Sequence, residues 1–218
     1  MDATAGRGTV VAIVGAVCVL LVGCAPGGRP AASESATGTA DGPTFAAVGD
    51  SITDADSRDF AAGDIGAASW ARYVVDAGHG FAGGWAEWGA TTAQMAESAT
   101  SVDADTLVLL AGTNDVAFGV PFDETSANLE RIVEAVGIEE VVVVSVPPMD
   151  AFPDGAVELN ERLEELADDR GWRFVDASAG LRTDDGVFRE GMSLDGLHPS
   201  EDGARVLGEA IADELRNG

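Results

Sequence analysis

The chain has 218 residues, of which 46% are hydrophobic, enough to build and bury the core of one domain. Its formal charge is -26, and all 12 basic side chains are arginine. A field of that sign repels nucleic acid and anionic lipid headgroups, so neither is expected as a partner of the surface.

Val10 to Val22 is almost wholly apolar. At about 13 residues it falls short of the ~20 that a membrane-spanning helix needs, and it reads as the core of a secretory signal over residues 1–23. The run Leu21-Val22-Gly23-Cys24 resembles a bacterial lipobox. That resemblance implies cleavage before Cys24, lipidation of its sulfur and a location on the outer face of the cytoplasmic membrane. Cys18 lies inside the signal, so the mature chain is expected to hold no disulfide. Residues 25–43 are rich in Gly, Pro, Ala, Ser and Thr and read, with Cys24, as a flexible tether of roughly 25 Å reach. The folded domain is placed at 44–218.

Within that domain apolar runs alternate with amphipathic stretches. Phe45–Val48 is a strand, and Ala67–Ala77 a helix with Trp70, Tyr73, Val74 and Ala77 inward. A weaker strand lies within Phe81–Trp88, and a short helix near Thr92–Ala99, begun by Thr91 and Thr92. Leu107–Ala111 reads as a buried strand. Asp123–Val136 is a helix with Leu129, Ile132, Val133 and Val136 inward and Gly137 as its cap. Val141–Val146 is the next strand, stopped by Pro147 and Pro148. Ala156–Arg170 is a helix burying Leu159, Leu163 and Leu166, and Arg173–Val175 the last strand. Ser200 caps a final helix whose inward residues are Leu207, Ile211 and Leu215. Strict alternation with continuous apolar strands implies an α/β domain: a five-stranded parallel sheet, doubly wound in the flavodoxin-like order, with helices on both faces.

Three islands follow predicted strands, Gly49-Asp50-Ser51-Ile52-Thr53, Gly89 and Gly112-Thr113-Asn114-Asp115, and a fourth, Asp195-Gly196-Leu197-His198-Pro199, lies in the loop before the last helix. In open α/β sheets ligands bind outside the carboxyl ends of the strands, where all four fall. Ser, His and Asp in this setting suit a serine nucleophile with a base and an orienting acid. The four blocks in this chain order resemble the SGNH, or GDSL, hydrolases. That resemblance implies Ser51, Asp195 and His198 as the triad. It also implies an oxyanion hole made by the backbone N–H groups of Ser51 and Gly89 and the side-chain amide of Asn114. Within the second block the chain reads Trp88-Gly89-Ala90-Thr91, without the Asn that often precedes the family's Gly.

Asp50 and Asp115 are expected to organise their loops rather than enter the chemistry. His79, in a Gly-rich turn, is expected to be incidental. Trp85 and Trp88 either line a pocket or pack under the sheet edge. Asp195 and His198 do not read as a metal pair, because two His and no further mature Cys leave a zinc site short of ligands. No cofactor is implied.

The resemblance implies carboxylic ester hydrolysis through an acyl-enzyme by a chain expected to be monomeric. Short loops after the strands favour small acyl groups, such as O-acetyl on a glycan. A lysophospholipase or thioesterase acting on longer chains is the alternative. A binding lipoprotein that has kept the fold without activity is the reading from another class.

Overall fold

The computed structural model describes residues 42–218. The signal, Cys24 and nearly all of the tether lie outside the described residues.

Five strands, β1 (Thr44–Gly49), β2 (Gly80–Ala86), β3 (Thr106–Leu110), β4 (Val141–Val144) and β5 (Arg173–Val175), form one sheet in the order β2-β1-β3-β4-β5. Every neighbouring pair is parallel. This is the doubly wound order expected from the β/α alternation. All residues of β3 and β4 are buried, as their unbroken apolar sequences require for central strands covered on both faces. The edge strand β5 is only half-buried along its length.

Among the described residues seven α-helices accompany the sheet, α1 (Ser51–Asp54), α2 (Trp70–Asp76), α3 (Thr92–Ser98), α4 (Thr113–Phe118), α5 (Phe122–Val136), α6 (Pro153–Arg170) and α7 (Glu201–Asn217), with a short 3-10 helix at Ala177–Gly180. Helix α2 packs against α7, while α5 packs against both α3 and α6. On α5 the buried stripe is Leu129, Ile132 and Val136, and Gly137 ends the helix with φ of 79°. On α7 the Ser200 hydroxyl accepts from the Gly203 N–H, and Leu207, Ile211 and Leu215 face inward. Both helices form because an apolar stripe at helical spacing meets a core, with a capping residue at one end.

Three expectations need correction. The helix expected from Ala67 begins at Trp70: the Ser69 hydroxyl donates to the Thr53 carbonyl at 2.5 Å, which ties the entry to α1. Ala77, expected inward, is exposed and is the C-cap of α2. The strand expected to reach Val146 ends at Val144. There the Val146 N–H and carbonyl turn to the Asn160 side-chain amide, at 2.8 and 3.0 Å, in place of a neighbouring strand. The short helices α1 and α4, which directly follow β1 and β3, carry no periodicity that a sequence pattern could reveal.

Candidate active site

The end of β1 turns at once into α1. Asp50 is its N-cap, and its Oδ1 accepts from the Ile52 N–H at 2.9 Å. This cap places Ser51 at the first helical position, above the carboxyl end of a central strand. Helix α4 follows β3 in the same way. Its N-cap, Gly112, has φ of 113°, and a Cβ there would come within 2.9 Å of Leu159. The conformation favours glycine, whereas the close contact is only with the tip of the Leu159 side chain, and the turn sets Asn114 at the start of the helix. The Asn114 amide donates to the Ala90 carbonyl at 2.9 Å, which leaves its second N–H for another acceptor.

Asp195 and His198 come from a tight turn before α7. The turn is closed by the Leu194 N–H donating to the His198 carbonyl at 3.0 Å and by Ser193 Oγ donating to the same carbonyl at 2.8 Å. Gly196 at its tip has φ of 80°, and its carbonyl accepts from the Asp150 N–H at 2.8 Å. The turn brings the side chains into line. His198 Nδ1 lies 2.8 Å from Asp195 Oδ2, and His198 Nε2 lies 3.0 Å from Ser51 Oγ. Asp195 Oδ1 also accepts from the Leu197 and His198 N–H groups at 3.0 and 2.8 Å.

Desolvation pushes the Asp195 carboxyl up, but the hydrogen bonds from His198 and Leu197 outweigh it and hold the group below the usual carboxylate range. Asp195 is thus ionised at neutral pH. It draws the ring proton to Nδ1, leaving Nε2 to accept from Ser51. Geometrically, the arrangement can take a proton from a hydroxyl as that hydroxyl attacks.

The two neighbouring acids have structural contacts. Asp115 is buried and accepts from the Thr92 N–H, the Thr92 hydroxyl and the Thr125 hydroxyl at 2.9, 2.5 and 3.0 Å. It locks the loop carrying Gly89, whose φ is 75°, to the helix carrying Asn114. Asp50 is fully buried, and its Oδ2 has no partner among the described residues. Burial pushes its carboxyl up to about 6, against the pull of the Ile52 N–H and of the nearby His198.

That shift has a consequence for stability. A folded-state pKa above the unfolded one means the folded state binds more protons between the two values, so stability falls as pH rises through that window. At neutral pH the cost of the buried charge is about 3 kcal/mol, at 1.36 kcal/mol per pKa unit. Asp50→Asn keeps an acceptor for Ile52 and removes the charge. Urea unfolding between pH 4 and 8 is expected to show a flatter profile for the variant and greater stability at pH 7. Parallel profiles for the two proteins would reject a buried, titrating Asp50.

His79 is buried, and its Nε2 lies 3.2 Å from the Ala212 carbonyl of α7. Trp85 and Trp88 divide. Trp85 is half-buried against the core, whereas Trp88 is exposed and its ring centroid lies 5.0 Å from that of His198. Trp88 lines a cavity of about 180 Å³ beside Ser51 and His198, together with Ile52, Ala55, Asp56, Ala68, Leu194 and Pro199. A larger cavity of about 370 Å³, near Val146, Asn160, Phe174 and Arg182, contains no residue of the four blocks. Asp150 and Ser193, which brace the turn carrying Asp195 and His198, are absent from the sequence expectations. Neither sits in a recognisable pattern, and their partners become visible only in three dimensions.

Residues 47–206 match the GDSL-like Lipase/Acylhydrolase family. Among solved structures, the chain is similar to a GDSL-like lipase from Bacteroides thetaiotaomicron, at 21% identity over 80% of this chain and 88% of the other, with a TM-score of 0.61. It is similar to a catalytic mutant of an acetylxylan esterase from Geobacillus stearothermophilus, at 20% identity over 80% and 94%, with a TM-score of 0.61. A member of the lipolytic G-D-S-L family from Veillonella parvula aligns at 18% identity over 78% and 96%, with a TM-score of 0.60. At these identities the likeness is one of fold. No curated protein sequence matches the chain.

Proposed function

This chain belongs to the GDSL-like lipase/acylhydrolase family and is a carboxylic ester hydrolase, and from that premise we propose that Ser51, His198 and Asp195 carry the reaction. The observation behind this reading is the unbroken hydrogen-bond chain from Asp195 through His198 to Ser51 Oγ. Ser51 Oγ bonds to the ester carbonyl carbon as its proton passes to His198 Nε2. The carbonyl oxygen becomes an oxyanion, for which the Ser51 and Gly89 N–H groups and the free N–H of Asn114 are the donors. Collapse breaks the bond to the alcohol oxygen, which leaves with the proton from His198. Water then attacks the acyl-enzyme by the same proton path, releasing the acid and restoring Ser51.

For the substrate, we propose esters with short acyl groups, O-acetylated glycans being the natural class. The cavity beside Ser51 is small, about 180 Å³, and its lining is mostly apolar, which suits a short acyl group. The structural relative described as an acetylxylan esterase points the same way. The enzyme is placed outside the cytoplasmic membrane and anchored through Cys24, a reading that rests on the Leu21–Cys24 run and the tether after it. Mass spectrometry of the mature amino terminus tests the anchor: an unmodified terminus beyond Cys24 would refute it.

A panel of p-nitrophenyl esters from C2 to C16, used below micelle-forming concentrations, tests the acyl preference. A pocket built for long chains gains about 0.8 kcal/mol per buried methylene, so kcat/KM would climb steeply with length. The short-acyl reading expects the best rates with acetyl or propionyl and a fall by C6 to C8. An optimum at C8 or longer would replace it with a lysophospholipase or thioesterase.

A further inference from the structure

We propose that Trp88 is a specificity-determining residue: pinned between the Ala55 carbonyl and the His198 ring, it is the wall that limits the length of acyl chain the site accepts. The proposal rests on the assignment of Ser51 as nucleophile and extends it to the cavity alongside.

Trp88 is 57% exposed, which for an indole on a loop would ordinarily leave it free to move. Here it is held on two sides. Its Nε1–H donates to the Ala55 carbonyl at 2.9 Å, and its ring lies on that of His198 with planes 34° apart. The Ala55 carbonyl is itself aimed by an unusual backbone. Ala55 has φ of 47° and ψ of -120°, and the Ser57 N–H donates to the Asp54 carbonyl at 3.0 Å. Together these make Ala55 the first central residue of a type II′ turn, a position that favours glycine.

Alanine keeps such a conformation only where its surroundings over-determine it, and such sites cluster where function needs them. The turn is held from the far side by Asp56 Oδ1, which accepts from the Ala68 N–H at 2.8 Å, and by Ser57 Oγ, which accepts from the Gly66 N–H at 3.1 Å. Among the described residues, Ala55 is the one non-glycine residue with positive φ. The strained turn therefore presents its carbonyl to the indole of the residue that flanks the catalytic histidine.

Leu194 stands on the cavity's lining with Trp88 and is 74% exposed. Ile52, Ala55, Ala68 and Pro199 make most of the remaining surface apolar, and the carboxylate on the lining, Asp56, is engaged by the Ala68 N–H, so the cavity suits hydrocarbon rather than hydroxyl groups. The acyl carbon stays bonded to Ser51 Oγ through both halves of the reaction. A cavity lined by Ser51 and by the helix turn that follows it is therefore assigned to the acyl chain, and the glycan or other alcohol to the open side.

Inactivation by p-nitrophenyl alkylphosphonates tests this without depending on the natural ester. Ser51 Oγ bonds to phosphorus, the bond to p-nitrophenolate breaks, and the serine proton passes to His198. The alkyl group on phosphorus takes the acyl position and the alkoxy group does not, so each is lengthened separately from methyl to octyl. Trp88→Ala is expected to raise the octyl-to-methyl ratio of inactivation rates at least tenfold in the alkyl series and to leave the alkoxy series unchanged. Leu194→Ala, at an exposed position where folding is not at stake, is expected to shift the alkyl ratio in the same direction. Trp88→Phe keeps a ring against His198 and is expected to give a smaller shift. Alkyl ratios within twofold of wild type in the folded variants, or a shift confined to the alkoxy series, would overturn the assignment. An ester optimum at long chain length would defeat the short-acyl reading yet leave these ratios readable, so the two failures are distinguishable.

Discussion

Ser51→Ala is expected to lower ester turnover by several orders of magnitude while leaving the fold intact, and His198→Ala is expected to do the same. Members of a triad act as a unit, so removing one loses most of what all of them supply. The structure gives the reason in this chain: Ser51 Oγ has His198 Nε2 at 3.0 Å, and His198 is in turn fixed by Asp195. Without the base the hydroxyl stays protonated, and without the hydroxyl the base has only water to activate. Circular dichroism and kcat/KM on the preferred ester check both variants. A folded Ser51→Ala protein with near wild-type turnover would remove Ser51 from the mechanism.

Asn114→Ala is expected to cost less, roughly 10²- to 10³-fold in kcat with little change in KM, because a donor to an oxyanion acts mainly in the transition state. One N–H of its amide is already committed to the Ala90 carbonyl, which orients the other. The same bond ties the Gly89 loop to α4, beside the tie that Asp115 makes through Thr92. With the Asp115 contacts intact, Asn114→Ala is not expected to melt the loop. Steady-state kinetics decide the matter: a change confined to KM would make Asn114 a substrate-binding residue and no more.

The parts of this protein that were legible in the sequence are those built by long-range burial of simple patterns. β3 and β4 are unbroken apolar runs that only a strand covered on both faces can use, and α5 and α7 carry apolar stripes with clear caps. The four blocks could be placed because each follows a strand or precedes α7. The elements that set the site geometry were not legible. Helices α1 and α4 have four and six residues, too few to show a period, and they exist because Asp50 and Gly112 satisfy the strand-to-helix turn. Asp150 braces Gly196 and also accepts from the Phe188 N–H, 38 residues along the chain, a pairing that no local pattern encodes. Trp88 was ambiguous for a related reason. Its role depends on a carbonyl 33 residues away and on the ring of His198.

The buried carboxyl of Asp50 adds a tension between stability and chemistry. Its charge is costly at neutral pH, yet it attracts a protonated His198, the species that the proposed mechanism forms. Asp195 does the same through direct contact with the ring, at a far more exposed position.

The central claim is that Ser51, activated by His198, is the nucleophile. Labelling the folded protein with a fluorophosphonate and locating the adduct by peptide mass spectrometry tests it most directly. The account predicts one stoichiometric adduct on Ser51, greatly slowed in His198→Ala. An adduct on another residue that abolishes activity, or full ester turnover by protein that the reagent never labels, would contradict it.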